Sequence, residues 1–401
     1  MAGLSLCLLV VVGLVAWSLT DDTYVAPRPD EQTAQVRPAL ATETLQRLER
    51  AVREGDTGAG RALAPDGDRA AERRLAGVVD NAAALRVRDF TLRYVDDEGA
   101  PSADGAWSAA VDVTWQLSGF DPAPSRAEVL FRFADTGDRV ALTGIGGGGR
   151  ISPLWLSGPL QVRRTSDTLV LVAGPPAEAA SYARRAAAAV PVVRRVLPRW
   201  RQGLVVEVPA SAAGLDRALD AESGTYDQIA AVTTAADGSQ APGTPVHVFV
   251  NPDVFDRLKP TGAQVVISHE ATHVATHAYT SAMPLWLLEG FADYVALRDV
   301  PLPVSVSAAQ IIADVRRDGP PRHLPSAAEF GTHTPRLGAT YESAWLACRL
   351  LARDGGQRAL VAFYRAVDGG LPLGTALRSL FGLSVRELTR DWRGLLSDLA
   401  G

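Results

Sequence analysis

The sequence predicts an α+β protein built of two successive units, and three observations predict it. Two helical patterns precede a run of alternating strands between residues 39 and 163. Strand and helix patterns then alternate from residue 167 and lead to a helix carrying His269-Glu270-Ala271-Thr272-His273. From residue 304 the patterns are almost all helical. Helices beside an antiparallel meander and strands interleaved with helices are different layer architectures. A chain of 401 residues also exceeds what one hydrophobic core ordinarily organises.

The elements follow in order. Ala2–Leu19 carries no charge, and its eighteen mostly apolar residues just suffice for a transmembrane helix. Trp17 suits an interface and Asp21-Asp22 follow on what would be the outer side. Residues 1–20 therefore read as a single-pass membrane anchor with the C-terminal portion outside the cytoplasm. The alternative is a signal segment cleaved after Ser18 and a secreted product. Residues 21–38, with Pro27, Pro29 and Pro38, read as a tether.

Residues 39–163 form the expected accessory unit. Helices over about 39–54 and 68–84 flank a glycine-rich loop. Alternation then predicts strands at Leu85–Val95, Trp107–Leu117, Ala127–Phe133 and Arg139–Thr143, with a hairpin turn at Asp135–Asp138. The order is similar to NTF2-like or cystatin-like folds. No convergent ionisable cluster is evident, so a spacer or a site for a protein or small ligand is the expected role. Gly144–Gly149 satisfies GxGxxG, but Ile151-Ser152-Pro153 follows where a dinucleotide fingerprint needs a helix N-terminus, and a mobile loop is expected instead.

Residues 167–401 form the second unit. It begins with a strand at Thr168–Val172, a helix over about 176–197 and a strand at Leu204–Val208. Val246–Val250 is a further strand, with His247 half-exposed. Next comes the motif helix. Positions i and i+4 lie about 40° apart around a helix, so His269 and His273 can aim two imidazoles at one Zn²⁺. Glu270 lies beside the first ligand, where its carboxylate can take a proton from metal-activated water. Val265, Val266, Ile267, Val274 and Ala275 make the helix apolar nearly all round, which implies burial. Buried imidazoles and a carboxylate need a strong partner.

A second helix, which Ser281 can cap and whose first turn Pro284 suits, has apolar residues running from Leu285 to Leu297 and supplies Glu289 as an oxygen ligand. Asp293, one turn later on the same face, suits a carboxylate that holds a ligating imidazole. Gly290 between them has no side chain, so this helix and the motif helix could approach closely there.

At His269-Glu270-Ala271-Thr272-His273, Trp286–Val295 and Tyr341-Glu342-Ser343-Ala344-Trp345, the chain resembles the gluzincin zinc metallopeptidases, specifically the peptidase MA-like group. Gly382-Leu383-Ser384 and Trp392 extend the resemblance, which covers about residues 167–398. It implies a mixed sheet, the motif helix and a helical C-terminal subdomain. It makes Val246–Val250 the best candidate for the sheet edge on which an extended peptide pairs. It also implies zinc ligation by His269, His273 and Glu289, with Glu270 as general base. Tyr341 could donate its phenol to the oxyanion formed at a carbonyl. The 15 residues between His273 and Glu289 are fewer than in thermolysin-like enzymes and classical aminopeptidases.

The remaining residues exclude more than they suggest. A net charge of −5 gives no case for nucleic acid. Lys259 is the only lysine among many arginines and alanines, the bias of a GC-rich bacterial genome. Cys7 and Cys348 cannot build a disulfide framework, and Cys348 reads as an inert buried thiol. His277 is rotated about 80° from His269 and reads as structural. His323 and His333 read as loop residues, and Ser384 with Glu387 as a capping box. The sequence thus predicts an extracytoplasmic Zn²⁺-dependent peptidase acting on peptides or proteins. The alternative is a non-catalytic binding or scaffold protein that keeps the peptidase fold.

Overall fold

A computed structural model describes residues 35–241, 243–331 and 334–401. Helix α1 (Pro38–Glu54) starts on a proline and stops at Gly55, whose φ of 68° is left-handed. After the short α2 (Thr57–Arg61), Asp68 caps α3 (Arg69–Leu85) by accepting from the Ala70 and Ala71 amides. Strands β1 (Val87–Glu98), β2 (Ala106–Leu117), β3 (Ser125–Asp135) and β4 (Val140–Ile145) form an antiparallel meander. The expected turn joins the last two, with Gly137 at φ 93°. Alternate residues of this sheet, including Val111, Val113, Val129, Phe131 and Phe133, bury against Leu45, Leu48, Leu75 and Val78 of the helices.

A second, mixed sheet has the order β5-β6-β7-β9-β8. Its strands are β5 (Gln161–Arg164), β6 (Thr168–Val172), β7 (Leu204–Val208), β8 (Ala231–Ala235) and β9 (Val246–Val250). β6, β7 and β9 run parallel, while β5 and β8 are antiparallel to their neighbours. Helix α4 (Pro176–Val196) follows β6, and α5 (Ala212–Ala218) and α6 (Pro252–Phe255) are short connectors. The central helices are α7 (Pro260–Thr276) and α8 (Leu285–Leu297). The helical subdomain continues with α9 (Val304–Ser307), α10 (Ala309–Asp318), α11 (Leu337–Gly355), α12 (Gln357–Asp368), α13 (Leu373–Phe381) and α14 (Val385–Ala400). Ser384 and Glu387 cap α14 reciprocally, as expected.

Three expectations are corrected. First, Val246–Val250 is not the sheet edge, because β7 pairs on one side and β8 on the other. The edge is β8, whose central residues are half-buried, whereas all five residues of β9 are buried. Second, Ser281 does not cap α8; it ends a single 3₁₀ turn, and Pro284 precedes the helix without a side-chain cap. Third, among the described residues no helix is long and apolar enough to cross a membrane. That finding goes against the expected membrane span, membrane partner and single-pass localisation. Ala2–Leu19, on which they rested, lies outside the described residues, as do the tether and Cys7.

Candidate metal centre

The centre is built by two helices and an edge strand. Pro260 starts α7, and His277 ends it by turning left-handed at φ 54°. The helix between is buried enough that His269, Glu270 and His273 are each 8–9% exposed. Helix α8 crosses it and presents Glu289. Its neighbour Gly290 is the contact with α11: a Cβ there would lie 2.4 Å from the Ala344 carbonyl oxygen and 3.1 Å from Cys348 Sγ. Only glycine lets α8 pack this closely.

Three donor atoms converge. His269 Nε2 and His273 Nε2 are 2.9 Å apart, and Glu289 Oε2 lies 3.1 Å from the first and 3.3 Å from the second. Among the described residues this is the group whose ligand atoms could share one metal ion. The fit can be checked by size. A tetrahedral zinc site with bonds of about 2.0–2.1 Å has donor–donor edges of roughly 3.3 Å, close to the triangle seen. The two imidazole nitrogens face each other at 2.9 Å, so a single cation between them would engage both lone pairs. The donor set, two imidazoles and one carboxylate, is one that Zn²⁺ accepts in catalytic sites.

Asp293 Oδ1 accepts from His269 Nδ1 at 2.8 Å, which leaves the Nε2 lone pair facing the other ligands. His273 Nδ1 is buried and has no hydrogen-bond partner among the described residues. Burial works against the charge of Glu289, but the His273 and His269 imidazoles outweigh it and hold the carboxyl well below its usual range. Burial likewise opposes protonation of His269, and the Asp293 and Glu289 carboxylates overcome it, so its affinity for a proton rises well above the ordinary value.

Glu270 does not point at the ligands. Its Oε2 accepts a 2.6 Å hydrogen bond from Thr233 Oγ1, on edge strand β8. Thr233 was not identified in the sequence, although the β-branched run Val232-Thr233-Thr234 marks a strand there. Tyr341 lies in the second turn of α11, with its ring centroid 6.0 Å from that of His269 and edge-on to Phe330. Burial, with the carboxylates of Glu289, Glu270 and Asp293, raises its phenol well above the ordinary value and keeps it a proton donor.

The other histidines stay out of the centre. His277 is an exposed helix cap and His323 is exposed beside the Leu324 carbonyl. His333 lies outside the described residues. His247 is buried rather than half-exposed: Nδ1 meets Glu207 Oε1 at 2.6 Å and Nε2 meets Asp121 Oδ1 at 3.0 Å. Asp121 lies in the connection between β2 and β3 of the first sheet, so this triad joins the two halves of the chain. Burial opposes a charged His247, but the Asp121 and Glu207 carboxylates outweigh it and push its pKa up to about 10. Cys348 is fully buried, and burial raises its thiol, so it is no nucleophile.

The His-Glu-x-x-His helix with the downstream Glu289 forms a compact metal-binding cluster of the kind found in gluzincin-type zinc sites, consistent with metal-activated hydrolysis. No family model matches the chain. No curated protein is significantly similar to it either, so the resemblance rests on the motif residues and their geometry.

Proposed function

We propose that the chain is a zinc peptidase of the peptidase MA-like group, with residues 39–163 as an accessory unit and 167–401 as the catalytic one. The observation that carries the reading is the convergence of His269, His273 and Glu289 beside a carboxylate that is free of the ligand set. Zn²⁺ held by those three residues would acidify water to a pKa of about 7 and polarise a carbonyl. Glu270 takes a proton from the attacking water and returns it to the leaving amine nitrogen. Thr233 fixes the orientation of Glu270, and Asp293 fixes the His269 tautomer. Tyr341 donates to the oxyanion that develops at the carbonyl. An extended peptide pairs along the outer edge of β8, which brings its backbone past Thr233 and Glu270.

Two substitutions in the full chain separate chemistry from metal binding. Glu270→Gln keeps shape but loses the base, so zinc content stays at the wild-type level while cleavage of a peptide library falls by at least about a hundredfold. Glu289→Gln removes a ligand and weakens zinc retention itself. Undiminished cleavage by Glu270→Gln would end the general-base assignment. A wild-type chain that is fully metal-loaded and cleaves nothing would favour the non-catalytic reading.

A further inference from the structure

A cavity of about 320 Å³ lies away from the metal ligands, between the first sheet and the second. Ala173, Pro209 and Ala210 line its floor. They directly follow β6 and β7, so the cavity opens at the carboxyl ends of two adjacent parallel strands. That is where open α/β sheets ordinarily receive ligands. Arg74 of α3, Arg132 of β3 and Arg217 of α5 also line it, and no Asp or Glu does. Among the described residues none of these three guanidinium groups forms an ion pair, in contrast to Arg126 and Arg150 of the first unit.

The positive charge is held in place by the glycine run. Arg132 donates to the Gly146 carbonyl at 2.8 Å, and Arg74 donates to the Thr143 carbonyl at 2.9 Å. A Cβ at Gly144 would come within 2.7 Å of Arg132 Nη1, and one at Gly147 within 3.1 Å of Nη2. Gly146 and Gly147 have φ of 91° and 84°, a backbone that side chains rarely adopt. The GxGxxG-like run thus has a physical use other than a dinucleotide turn: it seats a guanidinium at the cavity wall. Three cations without counter-charges, two of them anchored to backbone carbonyls, are costly to gather unless an anion joins them.

We propose that this cavity binds a small molecule through a phosphate group. Tetrahedral oxygens accept from several guanidinium forks at once, and a dianion matches three neighbouring cations better than a single carboxylate does. The volume is larger than a phosphate ion and sits at the small end of metabolite pockets, so the phosphate carries an organic substituent.

Phenyl phosphate titrated calorimetrically into the full chain at constant ionic strength tests this. One equivalent should bind saturably, more tightly than inorganic phosphate. Arg217→Gln should weaken binding at least about tenfold with the circular-dichroism spectrum and unfolding midpoint unchanged, because Arg217 makes no hydrogen bond or ion pair within the described structure. Arg74→Gln should weaken it similarly, and His273→Ala should leave it intact. No saturable binding, or undiminished binding by a folded Arg217→Gln, overturns the proposal. Loss of binding in His273→Ala with Arg217→Gln unaffected also overturns it, because the phosphate would then sit at the metal centre.

Discussion

Gly290→Ala probes how the fold positions the metal centre. The new methyl would meet the Ala344 carbonyl oxygen at 2.4 Å, its carbon at 2.6 Å and Cys348 Sγ at 3.1 Å. The first two are backbone atoms, so no rotamer change relieves the overlap, and α8 must move off α11 by roughly an ångström to reach ordinary contact. Overpacking of this kind costs about 1–3 kcal/mol, and a backbone obstacle puts it at the upper end. Replacing glycine by alanine inside a helix returns up to about 1 kcal/mol, leaving a net loss near 2 kcal/mol. The same displacement carries Glu289, one residue earlier, away from two imidazoles, whereas ligand distances tolerate only about 0.2 Å. Urea unfolding monitored by tryptophan fluorescence, with zinc affinity from chelator competition, reads both effects. A lower unfolding midpoint with weaker zinc binding is expected. A midpoint that is unchanged or raised, as helix propensity alone would give, together with wild-type zinc affinity, refutes the packing argument.

Two further outcomes follow from the same geometry. Tyr341→Phe should lower kcat on a cleaved peptide by about a hundredfold, the scale of losing one oxyanion donor, with KM and zinc content little changed; an unaltered kcat assigns Tyr341 to packing. His247 has a folded-state pKa near 10 against about 6.5 when unfolded, so its contribution is complete below pH 6.5 and is lost as pH rises towards 10. The wild-type chain should therefore lose on the order of a few kcal/mol more stability between pH 6 and pH 10 than His247→Gln does, measured by urea unfolding; parallel pH profiles contradict the buried imidazolium.

Local chemistry made much of the centre readable in the sequence. His269 and His273 share a helix face by spacing alone, and Asp293 follows Glu289 by one turn. Gly290 marks a close approach, but its partner is α11 rather than the motif helix. What the sequence hid depends on contacts between distant segments. Thr233 and Glu270 are 37 residues apart and meet only because β8, a five-residue strand, pairs antiparallel to β9. Periodicity identifies a strand but carries no information on strand order, so the edge role that the resemblance implies fell on β9 rather than on β8. His247 alternates like a surface residue; its burial depends on Glu207, 40 residues away, and Asp121, 126 away, neither of which its neighbours announce.

Metal content tests the central claim most directly. The full chain, purified without added metal and analysed by plasma mass spectrometry, should carry about one zinc per molecule, and the double substitution His269→Ala, His273→Ala should carry essentially none. Stoichiometric zinc retained by the double variant would contradict the assignment of His269, His273 and Glu289 as the metal centre.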